Sequence, residues 1–248
     1  MIFLRKPVDP PMVPPLPPSY RSGGLEEVLP GKETVLMTKR SWPGVLAFVL
    51  AILGATRTDA MSLAATNMVD LLHESDAIVV GQVAAVTDGI DERGIPFTEV
   101  KIEISETIRG DLSGTYTFRQ FGLLNPRTTA DGKWKMMPAP TGFPRFVPGE
   151  QNVLFLHPVA GWTGLRTTAG LSYGKFVLGP GRVENDMANA GLFRNIRLEP
   201  GLTTAADRGL LMSDGAANPE AFLSFVRRAV RGRWVETGRM TKMDRRAE

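Results

Sequence analysis

The chain has 248 residues, 43% of them hydrophobic and 22% charged, so one domain with extensions can bury a sizeable core. It contains no cysteine, which excludes disulfides, thiolate catalysis and cysteine-based zinc or iron–sulfur sites. The formal net charge is +3, but residues 61–220 carry 14 Lys and Arg against 18 Asp and Glu. The positive excess therefore lies outside the central region, a distribution that does not favour nucleic-acid binding there.

The N-terminal region has the composition of a leader followed by an export signal. Residues 1–36 contain the tract PVDPPMVPPLPPS, which cannot pack a core, so we expect them to be disordered. Met37 opens MTKRSWPGVLAFVLAILGATRTDA, which has a basic start, a short apolar run and a small residue at its end. We predict translation from Met37, which would leave residues 1–36 untranslated, and a signal peptide over residues 37–60. The protein is then exported, either periplasmic or secreted. An uncleaved inner-membrane anchor through residues 42–55 is the alternative.

Residues 61–235 are predicted to form one domain. Apolar residues at helical spacing predict a short amphipathic helix over residues 61–76. Alternating or continuous apolar runs between glycine- and proline-rich turns predict strands. These strands cover residues 77–86, 97–109, 115–121, 152–156, 164–168 and 174–178. Asn218-Pro219 begins a second helix that runs toward Trp234, with Asn as the N-cap and Pro in the first turn.

This order of elements predicts a mainly β fold. Five to six short strands with an N-terminal and a C-terminal helix favour a small OB-like β-barrel. Residues 152–156 read NVLFL, which is typical of a strand buried on both faces. Glu106 is the one charged residue on the apolar face of the strand over residues 97–109. Residues 236–248 are expected to form a charged tail.

Four segments of the β region share a pattern with a known module: ESDAIVVGQVAAV, TEVKIEISETIRGDLSGTYTFRQFG, GFPRFVPGEQNVLFLHP and GLSYGKFVL. They resemble a family of uncharacterised exported bacterial proteins and, more distantly, the netrin-like module of tissue inhibitors of metalloproteases. The resemblance covers roughly residues 70–180 and implies an OB-fold barrel with a terminal helix. Regulation of an extracytoplasmic peptidase follows only by analogy, because those inhibitors use an N-terminal cysteine that this chain lacks.

Two patterns suggest chemistry at first sight. Residues 170–174 read GLSYG and match the G-x-S-x-G motif of α/β-hydrolases, which requires a following helix and a later histidine. Both histidines, His73 and His157, precede this segment, so a glycine-flanked turn explains it better. The two histidines and the acidic turn at residues 88–92 lack the spacing of zinc or EF-hand sites. We therefore predict no catalytic residue, metal or cofactor.

The loop over residues 122–149 is the candidate working surface. A loop of this length in a compact domain is usually functional or disordered. It carries a tryptophan between two lysines and then two methionines, which together give adaptable apolar surface beside positive charge. The candidate binding residues are Lys133, Trp134, Lys135, Met136, Met137 and Arg145. Two alternatives remain open: the apolar side chains plug one end of the barrel, or Arg145 is a buried structural cation.

Together these patterns predict an exported, non-catalytic binding or interaction module of the cell envelope or the secreted fraction, with an extracytoplasmic protein as partner. The alternative is an OB-type binder of single-stranded nucleic acid or oligosaccharide, in which bases stack on aromatic residues of the strand over residues 115–121. Nucleic acid is not favoured, because Tyr116 and Phe118 share one face of that strand, as core residues do. Membrane contact is expected only through the signal segment if it stays uncleaved.

Overall fold

The computed structural model describes residues 66–128, 131–212 and 214–243, except for the side chain of Lys135. The predicted leader, signal peptide and membrane anchor lie outside the described residues. No helix of the described part is both long enough and apolar enough to span a bilayer. The helices are α1 (Met68–Glu74), α2 (Asp207–Met212) and α3 (Pro219–Arg231). The strands are β1 (Ala77–Ile90), β2 (Pro96–Arg109), β3 (Thr115–Phe121), β4 (Arg127–Thr128), β5 (Trp134–Lys135), β6 (Gln151–Leu156), β7 (Lys175–Gly179), β8 (Arg182–Asn185), β9 (Ile196–Leu198) and β10 (Met240–Lys242).

Six strands form one antiparallel sheet in the order β3-β2-β1-β6-β7-β8, which confirms the prediction of a mainly β fold. The long β1–β2 hairpin changes register at three places along β1. Such bulges bend a strand and increase its twist. At one of them the two backbones approach so closely that a Cβ on Gly81 would lie 2.6 Å from the Glu103 carbonyl oxygen. The sheet is therefore strongly curved along this hairpin.

Strand β6 lies in the middle of the sheet, between β1 and β7. Val153 and Phe155 point to one face and belong to the core under the helices. Leu154 and Leu156 point to the other face and belong to a second core. All four side chains are buried, which confirms the prediction of a strand buried on both faces.

The first core lies between the sheet and the helices. Asn67 caps α1 by accepting hydrogen bonds from the Val69 and Asp70 amides. Asn218 caps α3, with Pro219 in the first turn, which confirms the prediction for this helix. Aromatic rings then join helix to sheet, with the ring centroid of Phe176 lying 4.8 Å from that of Phe222 on α3. The helices are thus anchored by side chains that β6 and β7 present to them.

The second core lies on the opposite face, between β1, β2, β3 and β6. Its buried members are Ala77, Val79, Val83, Val100, Ile102, Phe118, Phe146, Leu154 and Leu156. Phe146 comes from the segment that precedes β6, and its ring meets Phe118 edge-on with centroids 5.6 Å apart. The inner face of the curved sheet is therefore closed by a side chain from the long loop and not by a helix.

The prediction of a strand over residues 164–168 is wrong. Only Thr168 forms a bridge, to Leu156, while Arg166 turns toward the edge of the sheet. The Arg166 amide donates to the Arg119 carbonyl of β3 at 2.7 Å, and its guanidinium donates to the Tyr116 hydroxyl at 2.9 Å. The alternation in GLRTT thus reflects a crossing segment that links β3 to the end of β6.

The sequence patterns missed several short elements. Residues 179–217, where the sequence patterns predict no helix or strand, contain β8, β9 and α2. Residues 240–242, within the expected charged tail, form β10 and pair with β9. Met240 is fully buried in the first core, and this side chain, the pairing with β9 and the ion pair of Lys242 with Asp70 attach the end of the described region to the domain. Strands of three or four residues carry too little periodicity to be recognised.

Candidate ligand-binding groove

The inner face of the sheet opens at one end into a groove of about 580 Å³. Thr98 of β2 and Gln120 of β3 lie directly opposite each other in the ladder, and both line the groove. They continue the face that carries Val100 and Phe118 deeper in the second core. The other lining residues are Leu123, Leu124, Pro138, Ala139, Pro140, Thr141, Gly142, Phe143, Pro144, Arg145, Phe146 and Val147. The groove thus lies between the β2–β3 pair and the long loop.

One wall of the groove is the segment that leads into β6. The Gln120 side-chain amide donates to the Pro144 carbonyl at 3.0 Å, which ties this wall to β3. Lys175 of β7 is buried and donates to the Arg145 carbonyl and, at 2.8 Å, to the Glu150 carboxylate. Because Phe146 is also held in the second core, the wall is fixed on both sides of Arg145.

The other wall is held by a close backbone contact. The Leu123 amide donates to the Met137 carbonyl at 2.8 Å, and Leu123 bridges to Pro138. Next to it, Gly122 has φ +110°, and a Cβ there would lie 2.4 Å from the Ala139 Cα. Only glycine fits this position without a shift of the wall. The groove is therefore pre-formed, as small ligand sites usually are.

The tip of the β1–β2 hairpin fixes the start of the loop. The Asp88 side chain is 5% exposed and accepts hydrogen bonds from the amides of Leu124 and Asn125 at 2.8 and 3.0 Å. Arg127 also forms an ion pair with the Asp88 carboxylate. Burial opposes ionisation of Asp88, but these hydrogen bonds outweigh it and lower its pKa. The carboxylate thus anchors the loop, and no cluster of three potential metal ligands exists among the described residues.

Of the candidate residues of the loop, Arg145 lines the groove and Met137 immediately precedes the lining residue Pro138. Lys133 and Trp134 belong to the β4–β5 hairpin, and the side chain of Trp134 is 77% exposed. Met136 and Met137 follow and are also exposed. The exposure of Trp134 is inconsistent with its serving as a plug, a position that Phe146 occupies instead.

Arg145 lines the groove and is exposed, so it is not a buried structural cation. The buried cations are Arg166 and Lys175. The Arg166 guanidinium donates to the His157 carbonyl at 2.6 Å and to Asp76 at 2.9 Å. The alternation pattern places Arg166 in a strand and cannot show that its side chain is enclosed.

Sequence reasoning missed the most unusual residue of the groove, Gln120. This side chain is 3% exposed, and its Oε1 has no hydrogen-bond partner among the described residues. A buried acceptor without a partner is rare in folded proteins and calls for an explanation. The available signal was its place on the same face of β3 as Tyr116 and Phe118, where an apolar residue is expected.

The G-x-S-x-G segment supports the groove instead of forming a nucleophile elbow. Residues Leu171–Gly174 form one 3₁₀ turn, and the element that follows is strand β7. The buried Ser172 donates its amide to the Gly142 carbonyl at 2.9 Å, and Gly142 lines the groove. The glycine-flanked turn therefore positions the end of the wall.

Comparison of the sequence and fold with protein-family models, with curated proteins and with solved structures gives no match. The function therefore has to be argued from the groove and its surroundings.

Proposed function

We propose that this protein is an exported, non-catalytic binding module that holds an extracytoplasmic protein partner in the groove and against the adjoining β4–β5 hairpin. The observation that carries the proposal is a pre-formed groove with an exposed apolar rim. Leu124 and Val147, which line the groove, are each more than half exposed, and Trp134 and Met136 of the same loop are exposed as well. Tryptophan and methionine are enriched at the centres of protein interfaces, and grouped exposed apolar side chains mark interaction sites.

The charge of the loop indicates an acidic partner. Residues 122–149 carry four basic side chains and one acidic side chain. The rest of the predicted domain, residues 61–121 and 150–235, contains 14 basic and 17 acidic residues and so has a net negative charge. Complementary charge steers association and rejects partners of the wrong sign. A basic rim on an otherwise acidic domain therefore selects a partner with acidic groups near its contact residues.

We further propose that the six-stranded sheet curves into an OB-like barrel, as in the netrin-like module. Arg166 supports it, because its amide contacts the Arg119 carbonyl of the edge strand β3 and its guanidinium contacts the His157 carbonyl just after β6, so the curvature of the sheet brings β3 near the end of β6. OB-folds bind their ligands on the face of their second and third strands. Thr98 and Gln120 line the groove from β2 and β3. The nucleic-acid alternative has less support, since Phe118 is buried and cannot stack on a base.

The test uses two tryptophans that are equally exposed. Trp134 belongs to the loop over residues 122–149 that forms the groove walls, whereas Trp162 is 80% exposed and lies outside this loop. A partner is captured from the envelope fraction by photo-crosslinking from position 147, identified, purified and titrated against each variant. We expect Trp134→Ala to weaken binding at least tenfold with an unchanged melting temperature, because buried interface tryptophans dominate binding energies. Trp162→Ala leaves both quantities unchanged.

Two results contradict the proposal. If Trp134→Ala destabilises the fold but leaves partner binding intact, the hairpin is a structural element and not a binding surface. If both tryptophan variants weaken binding equally, the partner does not use the groove side of the domain.

A further inference from the structure

We propose that the groove binds an extended peptide that carries a carboxylate beside an apolar side chain, with a peptide N–H on Gln120 and the carboxylate on Arg145. This inference rests on the proposed binding function and names the chemistry of the ligand. It follows from three features of the groove: an unpaired buried acceptor, an exposed cation without an ion pair among the described residues, and an apolar lining.

The acceptor is Gln120 Oε1. The Nε2 atom of the same amide donates to the Pro144 carbonyl, which fixes the orientation, since the opposite orientation would bring two acceptors together. Oε1 is thereby left buried and without a partner in a residue that lines the groove. A ligand donor would satisfy it. Peptide N–H groups are donors that recur along an extended polypeptide.

The cation is Arg145. Its guanidinium forms no ion pair among the described residues, although it is exposed on the groove. Arg119 and Arg127, which lie near the same end of the sheet, are each paired with an acidic side chain. A guanidinium can bind a carboxylate through two parallel hydrogen bonds. Arg145 is therefore the group of the groove that is available to an anion.

The apolar lining excludes the simplest competing ligands. Leu123, Phe146 and three prolines line the same groove as Gln120 and Arg145. A fatty acid would match this surface and Arg145 but offers no N–H donor to Gln120. A phosphodiester would match Arg145 but offers neither the donor nor the apolar group. A peptide with an apolar residue next to a carboxylate supplies all three.

The carboxylate has two sources, the C-terminus of a polypeptide or an acidic side chain, and the experiment separates them. The probe is a library of fluorescent seven-residue peptides with apolar residues at varied positions. Each is made as a free acid, as a C-terminal amide, and as an amide with one internal Glu. Binding to the purified protein is measured by fluorescence polarisation. We expect the free acid or the Glu peptide to bind about tenfold more tightly than the neutral amide, because charge-assisted hydrogen bonds are the strong ones.

Two variants and one change to the peptide assign the contacts. Arg145→Gln abolishes the preference for the charged peptide, whereas Arg208→Gln, at an exposed arginine outside the groove lining, retains it. N-methylation of successive peptide nitrogens identifies the donor to Gln120. We expect methylation at one position to weaken binding about tenfold and methylation elsewhere to have little effect.

The inference is overturned if charged and neutral peptides bind equally, if the preference survives in Arg145→Gln, or if no N-methylated position weakens binding. It is also overturned if no peptide binds while a captured partner binds in a Trp134-dependent way, and the proposed function then still stands. If peptides bind in an Arg145-dependent way but Trp134→Ala leaves partner binding intact, the ligand chemistry holds and the role of the hairpin fails.

Discussion

The carboxylate of Glu106 on β2 accepts two hydrogen bonds, each 2.6 Å long, from the guanidinium of Arg227 on α3. Glu106 is the residue that interrupts the apolar alternation of its strand, and the pair explains why. The charge faces the C-terminal helix, and the hydrogen bonds from Arg227 lower the pKa of Glu106. A bidentate pair fixes orientation as well as distance. It therefore sets how α3 crosses the sheet.

The strength of this pair can be measured with a double-mutant cycle of Glu106→Gln and Arg227→Gln. Both side chains are more than a third exposed, at 35% and 38%, so solvent screens the interaction. We expect a coupling of about 0.5–1 kcal/mol in the free energy of unfolding, measured by urea denaturation. The matched control is the single hydrogen-bonded pair of Arg239 and Glu199, which is more exposed. A coupling no larger than that of the control would show that the bidentate geometry adds nothing.

Asp207 gives a pH-dependent contribution to stability. Burial opposes its ionisation, but hydrogen bonds from Thr204 and Arg228 outweigh it, so its pKa is lowered in the folded state. A lowered carboxyl pKa stabilises the fold above the unfolded value of about 3.9, and the contribution is lost as the pH falls through the folded value. We expect Asp207→Asn to cost about 2–4 kcal/mol at pH 7.

Urea unfolding of wild type and Asp207→Asn between pH 7 and pH 2 tests this. The difference between the two proteins should shrink below about pH 4, because the unfolded chain then binds a proton at Asp207 that the folded state, with its lowered pKa, does not bind. Asp214 is an exposed aspartate paired with Arg194, and Asp214→Asn serves as the control with a much smaller effect. A difference that stays constant down to pH 2 contradicts the assignment of a lowered pKa to Asp207.

We expect that replacing Arg166 with lysine destabilises the fold. Its guanidinium is buried and binds the His157 carbonyl, the Tyr116 hydroxyl and the Asp76 carboxylate at once. Lysine keeps the charge but lacks the planar fork, so at least one buried partner is left unpaired. We expect Arg166→Lys to lower the free energy of unfolding by about 2–4 kcal/mol. Arg182→Lys, at a largely exposed arginine, should change it by less than about 0.5 kcal/mol. Equal effects of the two substitutions would mean that the link between β3 and β6 contributes little.

The strands that the sequence predicts correctly are those with five or more residues of regular burial. β1, β2, β3, β6 and β7 fall into this group because each presents at least two apolar side chains to a core. The short strands β8, β9 and β10 depend on partners that local periodicity does not report.

In the candidate site, too, local sequence predicts some features, whereas others depend on contacts between distant parts of the chain. Composition identifies the loop with Trp134 as an apolar surface, and in the structure the side chain of Trp134 is exposed. The groove itself depends on contacts across large sequence separations, such as Gln120 with Pro144 and Lys175 with Glu150. Whether a polar side chain is satisfied is a property of the folded environment. The unpaired acceptor of Gln120 is therefore visible only in three dimensions.

The close contact at Gly122 predicts a substitution that acts on both stability and the groove. Gly122→Ala places a Cβ 2.4 Å from the Ala139 Cα at a φ of +110°. Backbone strain and overpacking each cost about 1–3 kcal/mol, so we expect a loss of about 2–5 kcal/mol in unfolding free energy. Gly114 also has positive φ, at +61°, but faces open space. Gly114→Ala should therefore lose only about 1–2 kcal/mol, the cost of a left-handed residue.

The two glycine variants also separate groove binding from stability. In Gly122→Ala the wall at Ala139 must move, so we expect partner or peptide binding to weaken even at temperatures where the variant is fully folded. Gly114 does not line the groove, and its variant should bind as wild type does. Chemical denaturation gives the stability and fluorescence titration gives the affinity. If Gly122→Ala binds normally while folded, the close contact at Ala139 serves the fold alone and the groove tolerates a shift of this wall.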